Sequence, residues 1–355
     1  MLPRDTLTYS WVIDRMLDEE ISVVVVTYNS SSYIIPCLKS ILNSRNTALK
    51  EVIIIDNNSA DNTLGLVKKH FGNDPRVKVV SLHRNMGFPY ACNVGVRLAR
   101  SRYVVLMNPD VVVDPYCFAR LAEFLSRNSD VVAVQPKLLH PAGYIDGVGG
   151  VMDVLGHGFH LGMYEKDTGQ YERPREILYA CFACAMVKRD VYLRLGGMDP
   201  RFFLYSEDLD FGWRCWLAGY RVMYVPGAIA YHVGQHATKK LPYHAIYFGR
   251  RNRLYTVFTN YPLFLGIIAS IILLALYIGL GFYSMIIVRD KVEARLVLRI
   301  IVKFLKDLKY LVMKRKRIIR RRSFLEFIRK SLISTQLVGL KLYLAKLYRK
   351  QLAME

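Results

Sequence analysis

The sequence is poor in cysteine and lacks the patterns cysteine makes when it holds a fold together. Six cysteines in 355 residues are too few for a disulfide scaffold. Cys181 and Cys184 form a CxxC, but one pair cannot close a four-ligand zinc site. The run around them, Ala180 to Val187, is apolar, so both read as small buried residues in a reducing, cytoplasmic setting. Residues 1–20 lack the apolar stretch of a signal peptide. No internal repeat and no low-complexity linker interrupts the chain, and its length allows one large domain or two ordinary ones.

Charge is missing from one long stretch. Pro262 to Val288 holds no charged residue across 27 positions. As a helix it would reach roughly 40 Å, enough to cross a bilayer core. The plainer reading is a buried helix of a soluble protein. Acidic residues are scarce after it. From Arg289 to Glu355 there are 20 Lys and Arg against 5 Asp and Glu, out of a net +21 for the whole chain. Such asymmetry suggests a polyanionic partner, either nucleic acid or an anionic membrane surface. Val297, Ile300, Ile301, Phe304, Leu305, Leu308, Leu311 and Val312 fall on one helical face; Arg295, Arg299, Lys303 and Lys306 fall on the opposite one. That is the pattern of a basic amphipathic helix lying in a membrane interface. Aliphatics at helical spacing, without stacking aromatics, favour the membrane over nucleic acid.

What is present in the first 110 residues is a repeated strand and helix pattern. Ile21–Val26, Val52–Ile55, Val77–Leu82 and Tyr103–Met107 are short β-branched or apolar runs of buried-strand type. Helical patterns at 33–42 and 85–99 alternate with them, and Asp61-Asn62-Thr63 can cap a third helix. Alternation of this kind predicts an α/β fold with a mainly parallel sheet covered on both faces. Ligands of such sheets sit at the carboxyl ends of the strands. Residues 131–179 are irregular and rich in glycine, and read as a variable, acceptor-side segment. A strand within 178–187, a helix at 210–218 and a strand at 221–225 follow.

Polar clusters stand where these strands end. Asp56 and Asp110 each close a strand, Glu207-Asp208-Leu209-Asp210 is an acidic turn before a helix, and His232 follows a late strand. Taken singly, each has a plain reading as a turn, a helix-dipole carboxylate or a structural imidazole. A transferred sugar nucleotide would need a cation at its diphosphate and a general base at the acceptor hydroxyl, and these residues could supply both.

In order along the chain the motifs resemble the family 2 inverting glycosyltransferases of rhamnosyltransferase-like or galactofuranosyltransferase-like kind. The matching pieces are Val23 to Asn29, Ile53 to Thr63, Asn85-Met-Gly-Phe88 with Asn93-Val-Gly95, Leu106 to Val111, and Gly196 through Glu207-Asp208 and Arg214 to His232. The resemblance covers about residues 21–255 and implies a GT-A nucleotide-sugar-binding fold. It implies that Thr27, Tyr28, Asn29, Asp56, Asn58, Asn85, Gly87 and Asn108 bind the donor. Asp110, with His232, would hold a divalent metal (Mn or Mg). Asp208 would be the catalytic base, oriented by Glu207 or Asp210. The family's metal motif DxD reads Asn108-Pro109-Asp110 here, which shifts its load to Asp110. The Gln-x-x-Arg-Trp signature of processive synthases is absent; near its place stands Arg250-Arg-Asn-Arg253.

The chain divides on this reading into an extension (1–20), a catalytic domain (21–255), an apolar segment (256–290) and a basic amphipathic tail (291–355). The expected partners are a nucleotide-diphosphate sugar, a lipid-linked or cell-surface glycan acceptor and an anionic membrane surface. A polyprenyl-phosphate acceptor is the alternative substrate. A nucleic-acid- or membrane-binding protein that uses its basic tail, and an inactive donor-binding scaffold, are the rival classes. The positive-inside rule places the tail in the cytoplasm, where nucleotide sugars also are. Both demands are met when the apolar segment is re-entrant or in-plane, bent near Gly279 and Gly281; a single pass is the alternative.

Overall fold

The computed structural model describes residues 17–233, 242–287 and 289–335. Most of the 1–20 extension and the last twenty residues of the tail lie outside the described residues. In chain order the elements are β1 (Leu17–Thr27), α1 (Ile34–Leu42), β2 (Thr47–Asp56), α2 (Thr63–Phe71), β3 (Val77–Ser81), α3 (Phe88–Leu98), β4 (Tyr103–Met107) and β5 (Val111–Val113). Then come α4 (Cys117–Arg127), β6 (Val131–Leu139), β7 (Ile145–Gly147), β8 (Gly150–Asp153), β9 (Gly158–His160), β10 (Arg175–Glu176), β11 (Cys184–Lys188) and α5 (Arg189–Arg194). The remainder is α6 (Glu207–Leu217), β12 (Arg221–His232), α7 (Pro242–Asn260), α8 (Leu263–Ile286), α9 (Lys291–Arg317), α10 (Phe324–Arg329) and β13 (Ile333–Ser334).

The main sheet runs β10-β12-β6-β11-β4-β1-β2-β3. β1 pairs in parallel with β2 and β4, and β2 with β3, while β11 is antiparallel to both β4 and β6. The sheet is therefore mixed around a mostly parallel core. Alternation along the strands sends side chains to two cores. Val24 and Val26 of β1, Ile53 and Ile55 of β2, and Val104 and Leu106 of β4 enter one. Ile21, Val23 and Val25, Val52 and Ile54, and Val105 and Met107 enter the other. Burial on both faces is why these strands read as continuous apolar runs.

Two expectations change. β6 is a fully integrated strand, parallel to β12, inside the segment read as irregular. Gln135 and Lys137 break its apolar pattern, yet both are buried. The Gln135 amide donates to Gly147 O and accepts from Cys181 N, and the Lys137 ammonium meets Asp167 at 2.9 Å. The apolar helix α8 also runs unbroken through Gly279 and Gly281. Gly281 lies against α9, where a Cβ would come 3.5 Å from Val297. The glycine there admits a neighbouring helix and makes no bend.

The carboxyl-terminal helices share the first core. Leu254 and Val257 of α7, Leu273 and Tyr277 of α8, and Leu296, Ile300, Phe304 and Leu311 of α9 are buried with Phe211 and Trp213 of α6. The face of α9 expected to meet a membrane is thus largely the one that packs inward. The cations near its end follow. Arg315 donates to the carbonyls of Phe258, Thr259 and Tyr261, and Arg320 to that of Asn260, at the end of α7. Helix termini leave such carbonyls unsatisfied, and these arginines satisfy them. Lys314, Arg315, Arg320 and Arg322 of the basic run are thus tied to the body of the fold, while Lys316, Arg317 and Arg321 stand exposed.

Candidate active site

β1 and β2 end side by side, with Thr27 opposite Asp56, and β4 ends beside them at Met107. The Asp56 carboxylate accepts from Thr27 Oγ1 at 2.9 Å, from Ser59 Oγ at 2.6 Å and from Ser59 N at 2.9 Å. Asn29 N donates to Ser59 Oγ, and Asn29 Oδ1 accepts from Ala60 N. Asn29 and Asn58 take positive φ, 51° and 66°, which asparagine tolerates better than most residues. The two strand-end loops are thereby locked into one polar shelf, with Tyr28 exposed above it.

Asn85 Oδ1 accepts from Gly87 N, and Gly87 has φ 83°. A Cβ at Gly87 would meet Phe203 O at 2.5 Å, so only glycine fits. Phe88 N donates to that same carbonyl. The loop carrying Asn85 is in this way fastened to the loop that precedes Glu207.

That second loop is strained. Phe203, Tyr205 and Ser206 have φ of 64°, 67° and 64°, a region costly for residues with side chains. α7 holds it there. The Asn252 amide donates to the carbonyls of Phe202, Leu204 and Tyr205, and Arg251 to those of Arg201 and Phe202. The strained turn delivers Glu207 and Asp208 to the start of α6, at the sheet edge.

The acidic residues of α6 then separate. Burial raises the pKa of Asp208, to about 6, and burial with the charge of Asp208 raises that of Glu207, to about 8. Glu207 Oε2 is buried with no hydrogen-bond partner among the described residues. Asp210 is fully buried and turned to other partners: Arg214 at 2.9 Å, Lys314 at 2.9 Å and the Asn260 amide at 3.2 Å. It is held in an internal ion-pair cluster, and Glu207 alone is left as the expected neighbour of Asp208.

At the end of β12, His232 Nε2 lies 3.4 Å from Asp110 and its Nδ1 lies 2.8 Å from Asp146. Burial lowers the imidazole pKa, but the two carboxylates outweigh it and push the group up to about 10. A cation bound here would displace the proton that the two carboxylates hold on the ring. Oxygen from Asp110 with nitrogen from the carboxylate-oriented, neutral histidine would then suit a divalent metal. Asn108, half-buried beside them, is pinned by its N–H to Ala183 O. A second group, His160, Cys181 and Asp208, has ligand atoms within 4.8 Å of one another. It suits Mn or Mg poorly, because both cations favour oxygen ligands and the Cys181 sulfur is a soft one.

A sequence model of glycosyl transferase family 2 matches residues 22–196. The chain is 26% identical over 254 residues to N-acetylglucosaminyl-diphospho-decaprenol L-rhamnosyltransferase of Mycobacterium tuberculosis, covering 64% of this chain and 80% of that one. It is 39% identical over 95 residues to chondroitin synthase of Escherichia coli, 27% of this chain and only 14% of that protein. Among solved structures it resembles the mannosyltransferase PcManGT of Pyrobaculum calidifontis, in complex with GDP-Man and Mn2+. The TM-score there is 0.50 and the identity 18%, over 81% of this chain and 88% of that one. Residues 22–196 are a glycosyl transferase family 2 domain.

The transferase encloses a cavity of about 750 Å³ that joins these parts. Asn108, Glu207, Asp208 and His232 line it. So do residues that sequence reasoning missed: His157, His160, Tyr179, Arg250 and Arg253. Arg250–Arg253 drew notice only as a departure from the processive signature. Asp146 and Asn252 were unremarked, since each acts through a partner 86 or about 50 residues away. Thr27, Tyr28, Asn29, Asp56, Asn58, Asn85 and Gly87 do not line this cavity. Thr27, Tyr28, Asn29, Asp56 and Asn58 belong to the shelf at the adjoining strand ends, and Asn85 and Gly87 to the loop fastened to Phe203.

Proposed function

We propose that this glycosyltransferase moves a sugar, with inversion, from a nucleotide-diphosphate donor to a hydroxyl of a lipid-linked or cell-surface glycan acceptor. The observation that carries the reading is the single cavity bearing Asp208 at one wall and Asn108 and His232 at another. Asp208 takes the proton of the acceptor hydroxyl. The freed oxygen bonds to the anomeric carbon as the bond from that carbon to the diphosphate oxygen breaks on the opposite face. The nucleoside diphosphate leaves, and no covalent enzyme intermediate forms. Asp110 and His232 would hold a divalent metal (Mn or Mg), which neutralises charge on the departing diphosphate. Thr27, Tyr28, Asn29, Asp56 and Asn58 would take the nucleoside, and Asn85, Gly87 and Asn108 the sugar diphosphate. Of the adjacent pair, Glu207 is kept protonated by burial and the charge of Asp208, and Asp208 is the member left to accept a proton at neutral pH.

A general base near pH 6 is poised to act at neutral pH, which supports Asp208 in that role. The mycobacterial relative is named for a diphospho-decaprenol acceptor, and PcManGT was solved with a sugar nucleotide and Mn2+. Attachment to a membrane is supported by α8, which exposes Phe264, Ile271, Ile278, Phe282 and Ile286; the cytoplasmic face is proposed because nucleotide sugars are there. The test is donor screening by nucleotide release, with and without Mn or Mg, on the wild type and Asp208→Asn. Transfer should vanish in the variant while nucleotide binding survives; undiminished turnover would sink the assignment.

A further inference from the structure

The CxxC divides in the fold. Cys184 opens β11 and is fully buried, with its thiol beside that of Cys117. Cys181 is half-buried and lines the cavity. Of the two cysteines read as small buried residues, only Cys184 is fully so. The backbone of Cys181 is pinned in place: its N–H donates to Gln135 Oε1 at 2.7 Å, and its carbonyl accepts from Cys184 N.

His160 and Asp208 reach the same point of the wall. One ligand atom from each of His160, Cys181 and Asp208 lies within 4.8 Å of the other two. Three separate elements bring them together. His160 closes β9, Cys181 precedes β11, and Asp208 stands in the first turn of α6. The imidazole is boxed in: a Cβ at Gly147 would come 2.8 Å from its Nδ1, and the Tyr179 ring stands edge-on with its centroid 5.8 Å away. That Nδ1 is buried with no hydrogen-bond partner among the described residues.

Sulfur, imidazole nitrogen and carboxylate oxygen form a mixed set that a borderline-soft cation prefers and that hard oxygen-seeking cations do not. Three protein ligands beside an open space match a zinc site with a free fourth position. The centre of such a triangle is at most about 2.8 Å from each donor. Zinc bonds of about 2.0–2.3 Å are therefore reached by side-chain shifts of less than about 1 Å.

We propose that His160, Cys181 and Asp208 form an inhibitory zinc site. Zn2+ displaces the proton of the Cys181 thiol to water and binds the thiolate, the imidazole and the Asp208 carboxylate. Water takes the fourth position, on the cavity side. A carboxylate held by zinc no longer accepts the proton of the incoming hydroxyl, so transfer stops. Mn2+ stands lowest in the affinity order for such ligands and does not compete here. The inference rests on the transfer reading above, which gives Asp208 its role as base.

Full-length protein in detergent is titrated with Co2+, a spectroscopic stand-in for Zn2+. A thiolate-to-cobalt charge-transfer band that saturates at a single ion per chain and is displaced by Zn2+ is expected, and should be absent from Cys181→Ser and Cys181→Ala. Nucleotide release at saturating Mn2+ should fall as Zn2+ is added. Cys181→Ser should need at least about tenfold more zinc for half-inhibition, near 1.4 kcal/mol, each protein being compared with its own zinc-free rate. Absence of the band from the wild type, or inhibition of wild type and Cys181→Ser at the same zinc concentration, would overturn the proposal and assign any zinc effect to Asp110 and His232. A Cys181-dependent band with transfer untouched by zinc would defeat the inhibitory role and count against Asp208 as base. Asp208→Asn assayed without zinc reports separately on the transfer reading.

Discussion

Lys314 of α9 lies 2.9 Å from Asp210 of α6, with its side chain only 10% exposed. It also meets Asp199 at 2.9 Å, and its ammonium sits 4.6 Å from the Phe202 ring. One cation from the basic tail thereby ties together two acidic motifs of the catalytic domain. Removing it leaves two buried carboxylates short of a counter-charge, and Arg214 alone facing Asp210. Lys314→Met should cost about 3–5 kcal/mol of stability, the range for breaking a buried pair. Thermal denaturation measures this; an unchanged Tm would show that the cluster contributes nothing.

The acidic limb of the pH–rate profile should belong to Asp208. Its pKa is raised by burial to about 6, and the base must be ionised to accept a proton. kcat/KM should therefore fall as pH drops through about 6, approaching tenfold per pH unit below it. A profile flat down to pH 5 would place the base elsewhere.

Glu207 makes a stability prediction of opposite sign to the usual carboxylate. Burial, then the neighbouring Asp208 charge, raises its folded pKa to about 8, above its unfolded value. Its contribution is present at low pH and is lost as pH rises from the unfolded value through the folded one. Glu207→Gln removes that titration, so its Tm relative to wild type should be higher at pH 8 than at pH 5. Each kcal/mol corresponds to about 2–4 °C or less in a chain of this size. Equal differences at both pH values would contradict a buried, protonated Glu207.

Asn252 is a positioning residue, acting through three carbonyls of the strained turn before Glu207. Asn252→Ala frees that turn to relax. A misplaced base costs on the order of 10²-fold in kcat, while donor binding on the shelf across the site should hold. Equilibrium binding of the nucleoside diphosphate alongside kcat separates the two. A loss of binding equal to the loss of kcat would point to general unfolding instead.

Much of the strand-end shelf was legible because its signals are local. Val23–Val26, Ile53–Ile55 and Val104–Leu106 are apolar at every position, which only a strand buried on both faces requires. The polar residues that follow them must then share one sheet edge. β6 was not legible in the same way. Gln135 and Lys137 look solvent-facing in sequence, and their partners Gly147, Cys181, Asp167 and Glu172 come from later segments.

The sequence by itself determined the succession of strands and helices in the first half, the glycine before α3, the acid pair at α6 and a long apolar helix. Each of these is a matter of period, or of what one backbone position tolerates. Tertiary structure alone decided what the charges do. Lys314, Arg315 and Arg320 read as part of a basic tail facing an anionic membrane, yet they meet carboxylates and helix-end carbonyls that lie 54 to 104 residues away. Asp210 read as a residue that could orient Asp208, but on a helix a spacing of two turns them to different faces, one to Lys314 and one to the cavity. A charge carries no local mark of its partner, because the attraction acts through space and not along the chain.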